Sequence, residues 1–238
     1  MELYERTLDL FFPKRCPVCD DIVNEPGKLI CDECREELKL IGDPYCLKCG
    51  RPVRDPAMRL CELCREKEEK YRFVKGRAVF EYDDVLKESI YRFKYGGRKE
   101  YGEYYAKVMA EALGDQILSW QPQAFIPIPL HKRRYNVRGY NQASVIAEKL
   151  SEILGIPVRE DILIRSENTR KQKELSVSQR ENNLKKALKI KHYDVKLKNI
   201  VLVDDIYTTG STIDVAAACL IDKGAENIYY SVIGAAAV

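Results

Sequence analysis

Ile200-Val201-Leu202-Val203-Asp204-Asp205-Ile206-Tyr207-Thr208-Thr209-Gly210-Ser211-Thr212 is the most informative run in this chain. Four aliphatic residues in succession predict a strand buried on both faces, as in a parallel sheet. Two adjacent carboxylates follow, then a hydroxyl-rich loop, then a helical segment from Ser211 to Lys223 ended by Gly224. The start of such a helix presents unpaired N–H groups and a positive dipole end, a natural seat for a phosphate. Thr208, Thr209, Ser211 and Thr212 add hydroxyl donors, and Gly210 lets the backbone approach closely. Asp204 and Asp205 stand where they can accept hydrogen bonds from ribose hydroxyls. In open α/β sheets ligands bind here, at the carboxyl end of a strand. The run matches neither G-x-x-x-x-G-K-[ST] nor G-x-G-x-x-G, so ATP and dinucleotide readings lack their motif. A plain N-cap would explain one Thr or Ser, not two acids with four hydroxyls.

Upstream, strand-like and helix-like segments alternate. Val74–Tyr82 reads as a strand and Asp83–Lys94 as a helix stopped by Gly96-Gly97. Tyr101–Leu113 is predicted helical with Gly114 after it, and Ala124–Ile128 is a short strand. Gln142–Leu154 is a helix closed by Gly155, Ile162–Ile164 a strand, and Ile228–Val232 a closing strand. This rhythm predicts an α/β domain over residues 71–238, with a central, mainly parallel sheet flanked by helices. Residues 1–12 read as an amphipathic helix ended by Pro13, and the charged run 65–70 as a connector.

Residues 13–66 cannot build an apolar core and carry eight of the nine cysteines, as Cys16/Cys19, Cys31/Cys34, Cys46/Cys49 and Cys61/Cys64. Each pair is C-x-x-C and the pairs recur every fifteen residues, the mark of a duplicated unit. Two such turns complete a tetrahedral Cys₄ site, so eight ligands predict two structural Zn²⁺ ions. Sequential pairing, the first four cysteines on one ion and the last four on the other, is preferred. An interleaved cross-brace has the same spacing, and Cys₄ also suits an iron–sulfur cluster. Cys219, on an apolar helix, reads as core packing.

The 238 residues are 45% hydrophobic and 32% charged, the balance of a globular protein. No apolar stretch reaches the roughly 18 residues of a membrane span. The acidic start Met1-Glu2-Leu3-Tyr4-Glu5 is unlike a signal peptide, which predicts a cytoplasmic protein. The net charge of +3 does not by itself argue for nucleic acid.

The 200–212 run closely resembles the phosphoribosyl pyrophosphate (PRPP) motif of type I phosphoribosyltransferases. Further residues extend the resemblance to the ComF (competence protein F) family: Ile126-Pro127-Ile128-Pro129-Leu130-His131-Lys132-Arg133-Arg134, Arg138-Gly139-Tyr140-Asn141-Gln142 and Arg92-Phe93-Lys94-Tyr95. Arg165, Gln172, Arg180, Asn183 and the four C-x-x-C pairs fit it too. The resemblance implies a double zinc ribbon on residues 13–66 and a type I phosphoribosyltransferase fold on 71–238. It implies PRPP bound with Mg²⁺, Thr208 to Thr212 on the 5′-phosphate, and Asp204 and Asp205 as the catalytic pair, Asp205 steadying positive charge on the ribose. Pro129, Leu130, His131, Lys132 and Arg133 would form the pyrophosphate loop. Arg165 and Arg170 would serve pyrophosphate and a lid over residues 166–179.

Lys132, Arg133, Arg134 and Arg138 put four positive charges in seven residues, as a leaving pyrophosphate needs. Tyr207 departs from the family's aliphatic residue and suggests ring stacking. Neither His131 nor His192 has a catalytic partner in sequence. Two functions stay open. One is a phosphoribosyltransferase with a nitrogen acceptor selected by a hood over residues 79–105; with Glu2 after Met1, it lacks the N-terminal cysteine of the version that makes its own ammonia. The other is a module that handles incoming single-stranded DNA beside cytosolic DNA-uptake proteins. For it, Tyr45, Tyr91, Tyr95, Tyr101, Tyr104, Tyr105, Tyr135 and Tyr140 are stacking candidates, and Arg15, Lys28, Arg35, Lys48, Arg51, Arg54 and Arg59 are interspersed cations. A regulator using PRPP as effector lacks a helix-turn-helix.

Overall fold

The computed structural model describes residues 13–67, 70–165, 187–191 and 196–237. The predicted helix on 1–12, Arg170 and the lid, with Gln172, Arg180 and Asn183, and His192 lie outside them.

Four strands, β1 (Lys75–Glu81), β2 (Ala124–Pro127), β5 (Asn199–Tyr207) and β6 (Asn227–Ala235), form a parallel sheet in the order β1-β6-β5-β2. Its residues are apolar on both faces, so each face needs its own cover. One core joins Val79, Phe125, Val201, Val203 and Ile233 to α3 (Asp84–Tyr95), α4 (Tyr101–Ser119) and α6 (Gln142–Leu154). The other joins Ala78, Ile126, Leu202, Tyr230 and Val232 to α7 (Ser211–Ile221). The small antiparallel pair β3 (Leu163–Arg165) and β4 (Leu188–Ile190) packs on that second core.

The cysteine segment divides between the two faces. Cys16, Val18, Ile30 and Cys34, with the short helix α1 (Asp32–Glu37), join the first core. Cys46, Cys49, Cys61 and Cys64, with α2 (Glu62–Lys67), join the second. Between them the chain runs along the outer edge of β1. Ile41 N–H donates to the Val79 carbonyl at 2.8 Å, and Glu81 N–H donates to that of Lys39 at 2.9 Å. An edge that would otherwise offer unpaired backbone groups is closed in this way.

Several expectations change. The helix from Tyr101 does not stop before Gly114 but runs through it to Ser119. A Cβ at Gly114 would lie 3.4 Å from Leu154 Cδ2, so the glycine lets α4 approach α6 rather than ending a helix. Residues 162–164 do not join the parallel sheet; among the described residues the strand there, β3, pairs with β4 alone. The acid pair sits inside β5, which continues to Tyr207, rather than beyond its end. Residues 132 and 133, expected in the pyrophosphate loop, instead begin helix α5 (Lys132–Arg138), N-capped by His131, whose Nδ1 accepts from Arg133 N–H at 3.2 Å. By contrast α6 has its expected bounds: Asn141 caps its start, accepting from Ala143 N–H, and Gly155 ends it in the left-handed region.

Candidate functional site

Asp204 and Asp205, adjacent near the end of β5, both line one cavity. Asp205 Oδ2 meets Lys94 Nζ, from the end of α3, at 2.8 Å, and both side chains are largely buried. Burial, with the Asp205 charge adding to it, pushes the Asp204 carboxyl up to about 7. Asp204 Oδ1 accepts from the Asp205 N–H at 2.9 Å. A carboxyl poised this way changes charge readily when a donor or cation arrives.

The loop after β5 turns at Gly210, which has φ 80° and heads α7 without a side-chain cap. A Cβ there would overlap the Tyr207 hydroxyl, so both backbone angle and space demand glycine. Thr208 and Thr212 reach the cavity beside the acid pair; Thr209, Gly210 and Ser211 are not among its lining. Thr209 and Ser211 bond to each other at 3.0 Å.

That cavity, about 260 Å³, is also lined by Ile128, Pro129 and Leu130 and by Arg134, Arg138 and Arg165. Arg134 and Arg138 are spaced by four within α5, which turns them to one face. Lys132 and Arg133, on the other faces, do not line the cavity, and His131 caps the helix instead. Arg138 lies over the Tyr95 ring at 4.6 Å and donates to Tyr95 Oη at 2.8 Å and Gln142 Oε1 at 2.7 Å. The Nε atoms of Arg138 and Arg165 are buried without a hydrogen-bond partner among the described residues. Burial, followed by the Arg134 charge, lowers the pKa of Arg165. Two under-bonded guanidiniums beside two carboxylates suit a ligand with both anionic and hydroxyl groups. The sequence alone did not single out the Arg134/Arg138 pairing, because the inward face exists only once residues 132–138 are helical.

Tyr207 has no part in that cavity. It is 1% exposed, stacked on Tyr230 at 4.9 Å and 7°, so the stacking expected of it is internal packing rather than ligand contact. Of the tyrosines considered for base stacking, Tyr101, Tyr104 and Tyr105 are buried in the core, whereas Tyr91, Tyr95 and Tyr135 are exposed.

The cysteines assemble sequentially, Cys16/Cys19/Cys31/Cys34 and Cys46/Cys49/Cys61/Cys64, with the sulfurs of each set within 4.8 Å of one another. Cys19 and Cys31 sulfurs are 3.9 Å apart and Cys49 and Cys61 sulfurs 3.7 Å. A tetrahedron with Zn–S bonds of about 2.3 Å has S···S edges of about 3.8 Å. The sets therefore fit one zinc each, exclude the interleaved pairing, and leave no room for a polynuclear iron–sulfur cluster. Cys219 is half-buried, packed against the second core.

The second set lies against the loop. Arg51, two residues past Cys49 and 3% exposed, donates from Nη2 to the Thr208 carbonyl at 2.6 Å and lies over the Tyr207 ring at 5.2 Å. Tyr71 Oη donates to the Thr209 carbonyl at 3.1 Å, and Tyr230 Oη to that of Cys49 at 2.8 Å.

Comparison with known proteins matches residues 7–66 to the double zinc ribbon domain and residues 140–238 to the phosphoribosyl transferase domain. Competence protein F of Haemophilus influenzae is 32% identical over 223 residues, covering 92% of this chain and 95% of its own. Competence protein ComFC of Bacillus subtilis is 33% identical over 204 residues, 84% of this chain and 81% of its own. DNA utilization protein YhgH of Shigella flexneri is 29% identical over 158 residues, 63% and 67% of the two chains.

Proposed function

This chain belongs to the competence protein F family, a double zinc ribbon joined to a phosphoribosyltransferase fold, and on that premise we propose that its cavity binds PRPP with Mg²⁺ in the service of DNA uptake. The observation that carries the reading is the pairing, across one cavity, of the Asp204/Asp205 wall with the under-bonded Arg138 and Arg165 guanidiniums. The carboxylates accept from the ribose hydroxyls, and the hydroxyl loop at the head of α7 receives the 5′-phosphate. Arg134, Arg138 and Arg165, along the Pro129–Leu130 wall, balance the pyrophosphate charge. Mg²⁺, when bound with the ligand, supplies the remaining charge neutralisation. Lys94 must give up some of its hold on Asp205 as the ribose arrives.

The relatives' names, competence and DNA utilization, support work on incoming single-stranded DNA in the cytoplasm. No helix among the described residues is long and apolar enough to cross a membrane. A second reading, phosphoribosyl transfer to a nitrogen acceptor, draws on the same cavity. Calorimetric titration of PRPP with Mg²⁺ tests the binding; Asp205→Ala should weaken it about ten- to hundredfold, by removing a charge-accepting contact and leaving Lys94 unpaired. Affinity unchanged in that variant refutes the role. Pyrophosphate release with a panel of amines or nucleobases would favour the transfer reading. A salt-dependent mobility shift of single-stranded DNA without turnover would favour the module.

Asp204 also makes a pH prediction. Its carboxyl, held up to about 7, is protonated below that pH and cannot accept from a hydroxyl there with full charge. PRPP affinity should therefore rise as pH climbs from 6 to 8, and Asp204→Asn should flatten the profile. Stability runs the other way. The folded state holds this proton where the unfolded carboxyl has lost it, so the group costs stability as pH rises from about 4 toward 7.

A further inference from the structure

Arg51 is a fully buried cation, and among the described residues no carboxylate forms a salt bridge with it. A zinc ion with four thiolates carries a net charge of −2, so the metal site is the counter-charge that makes the buried guanidinium tolerable. The same guanidinium holds the Thr208 carbonyl at 2.6 Å. A second route runs from the Cys49 carbonyl to Tyr230 Oη at 2.8 Å, through the Tyr230–Tyr207 stack, to the Tyr207 hydroxyl against which Gly210 is packed. Two different links therefore join the second metal knuckle to residues 208–210. The first knuckle reaches none of them: the position equivalent to Arg51, thirty residues earlier, is Asp21, and it is exposed.

We propose that the second zinc ribbon is the positioning device of the phosphate loop, with Arg51 as the residue through which its metal cluster sets the loop's shape. The proposal deepens the PRPP reading given above and rests on it for the ligand. Coupling between two sites is reciprocal. Zinc in the second ribbon thus favours ligand binding, and the bound ligand protects that zinc, while the first ribbon's zinc is indifferent to the ligand.

The test uses the full chain loaded with two zinc ions. Hydrogen–deuterium exchange needs no ligand: Arg51→Met should speed exchange at residues 208–212 and leave residues 16–34 unchanged, and Arg51→Lys should recover part of the protection. Zinc content of two per chain in both variants separates this from a folding failure. PRPP affinity should fall roughly tenfold in Arg51→Met. In the wild type, PRPP with Mg²⁺ should slow chelator-driven alkylation of Cys46, Cys49, Cys61 and Cys64, read by mass spectrometry, by a similar factor. Alkylation of Cys16, Cys19, Cys31 and Cys34 should not change. Unaltered loop exchange in Arg51→Met overturns the positioning role, and so does equal ligand protection of both cysteine sets. Absence of any PRPP binding to the wild type sinks the ligand reading, while the exchange result still decides the positioning role.

Discussion

Residues 16–34 and 46–64 close the same knot and use it differently. In the first, Cys16 N–H donates to the Asp21 carbonyl at 2.8 Å and Asp20 N–H to that of Cys16 at 2.9 Å. In the second, Cys46 N–H donates to the Arg51 carbonyl at 2.9 Å and Gly50 N–H to that of Cys46 at 2.7 Å. Asp20 and Gly50 occupy one structural position, with φ of 66° and 67°. Asp20 turns that position into a handle: its carboxylate accepts from Arg98 Nε at 2.7 Å, Arg98 Nη2 at 2.8 Å and Tyr101 Oη at 2.5 Å. Gly50 turns it into a gap, because a Cβ there would lie 2.6 Å from the Arg77 Cα and the Gly76 carbonyl of β1. One ribbon is tethered by charge to the start of α4; the other is pressed onto the sheet beside residues 208–210. Metal chemistry thus leaves docking free, and the residue after each second cysteine decides it.

Swapping the residues should break the comparison most. Gly50→Asp would drive side-chain atoms into β1 backbone that cannot move aside, a loss of about 4 kcal/mol or more, seen as aggregation or a collapsed urea midpoint. A stable, folded Gly50→Asp chain would show that the second ribbon is not tightly seated. Asp20→Ala should be milder, about 1–2 kcal/mol after allowing for partial exposure, because it leaves Arg98 and Tyr101 able to reach water. The tether also has a pH signature. Burial works to raise the Asp20 carboxyl, but the Arg98 and Tyr101 hydrogen bonds win and hold it below the usual carboxylate range. Its contribution is therefore fully present above about pH 4 and is lost as pH falls through the depressed value. Amide exchange in residues 16–34 should rise below pH 4 in the wild type, and that rise should be absent in Asp20→Ala. The smallest effect is expected at Lys14, whose 3.2 Å pair with Glu103 is substantially exposed on both sides. Lys14→Ala should cost under about 1 kcal/mol, within the scatter of a thermal melt.

Much of this architecture was written locally. Cys₄ geometry follows from four C-x-x-C turns, and α6 from an Asn141 cap, helical spacing and Gly155. The acid pair and hydroxyl loop at 204–212 announced themselves by composition and order. Other features had no local signal. Arg51 reads as one of several interspersed ribbon cations, yet it is buried against a carbonyl 157 residues away. Gly114 reads as a stop, since nothing near it in the chain reveals Leu154. Arg134 and Arg138 share a face only because residues 132–138 coil, a segment that is basic and carries no apolar stripe to betray a helix.

The sequence by itself determined the local makeup of each unit: cysteine knots at fifteen-residue spacing, a doubly buried strand carrying two acids, and a hydroxyl-rich helix start. These depend on neighbours a few bonds apart, so chain order is enough. Tertiary structure alone decided that the ribbons lie on opposite faces of the sheet and that the second one holds the loop after β5. Those outcomes come from the linker crossing the edge of β1 and from contacts between residues distant in the chain, whose energies exist only after the sheet has formed.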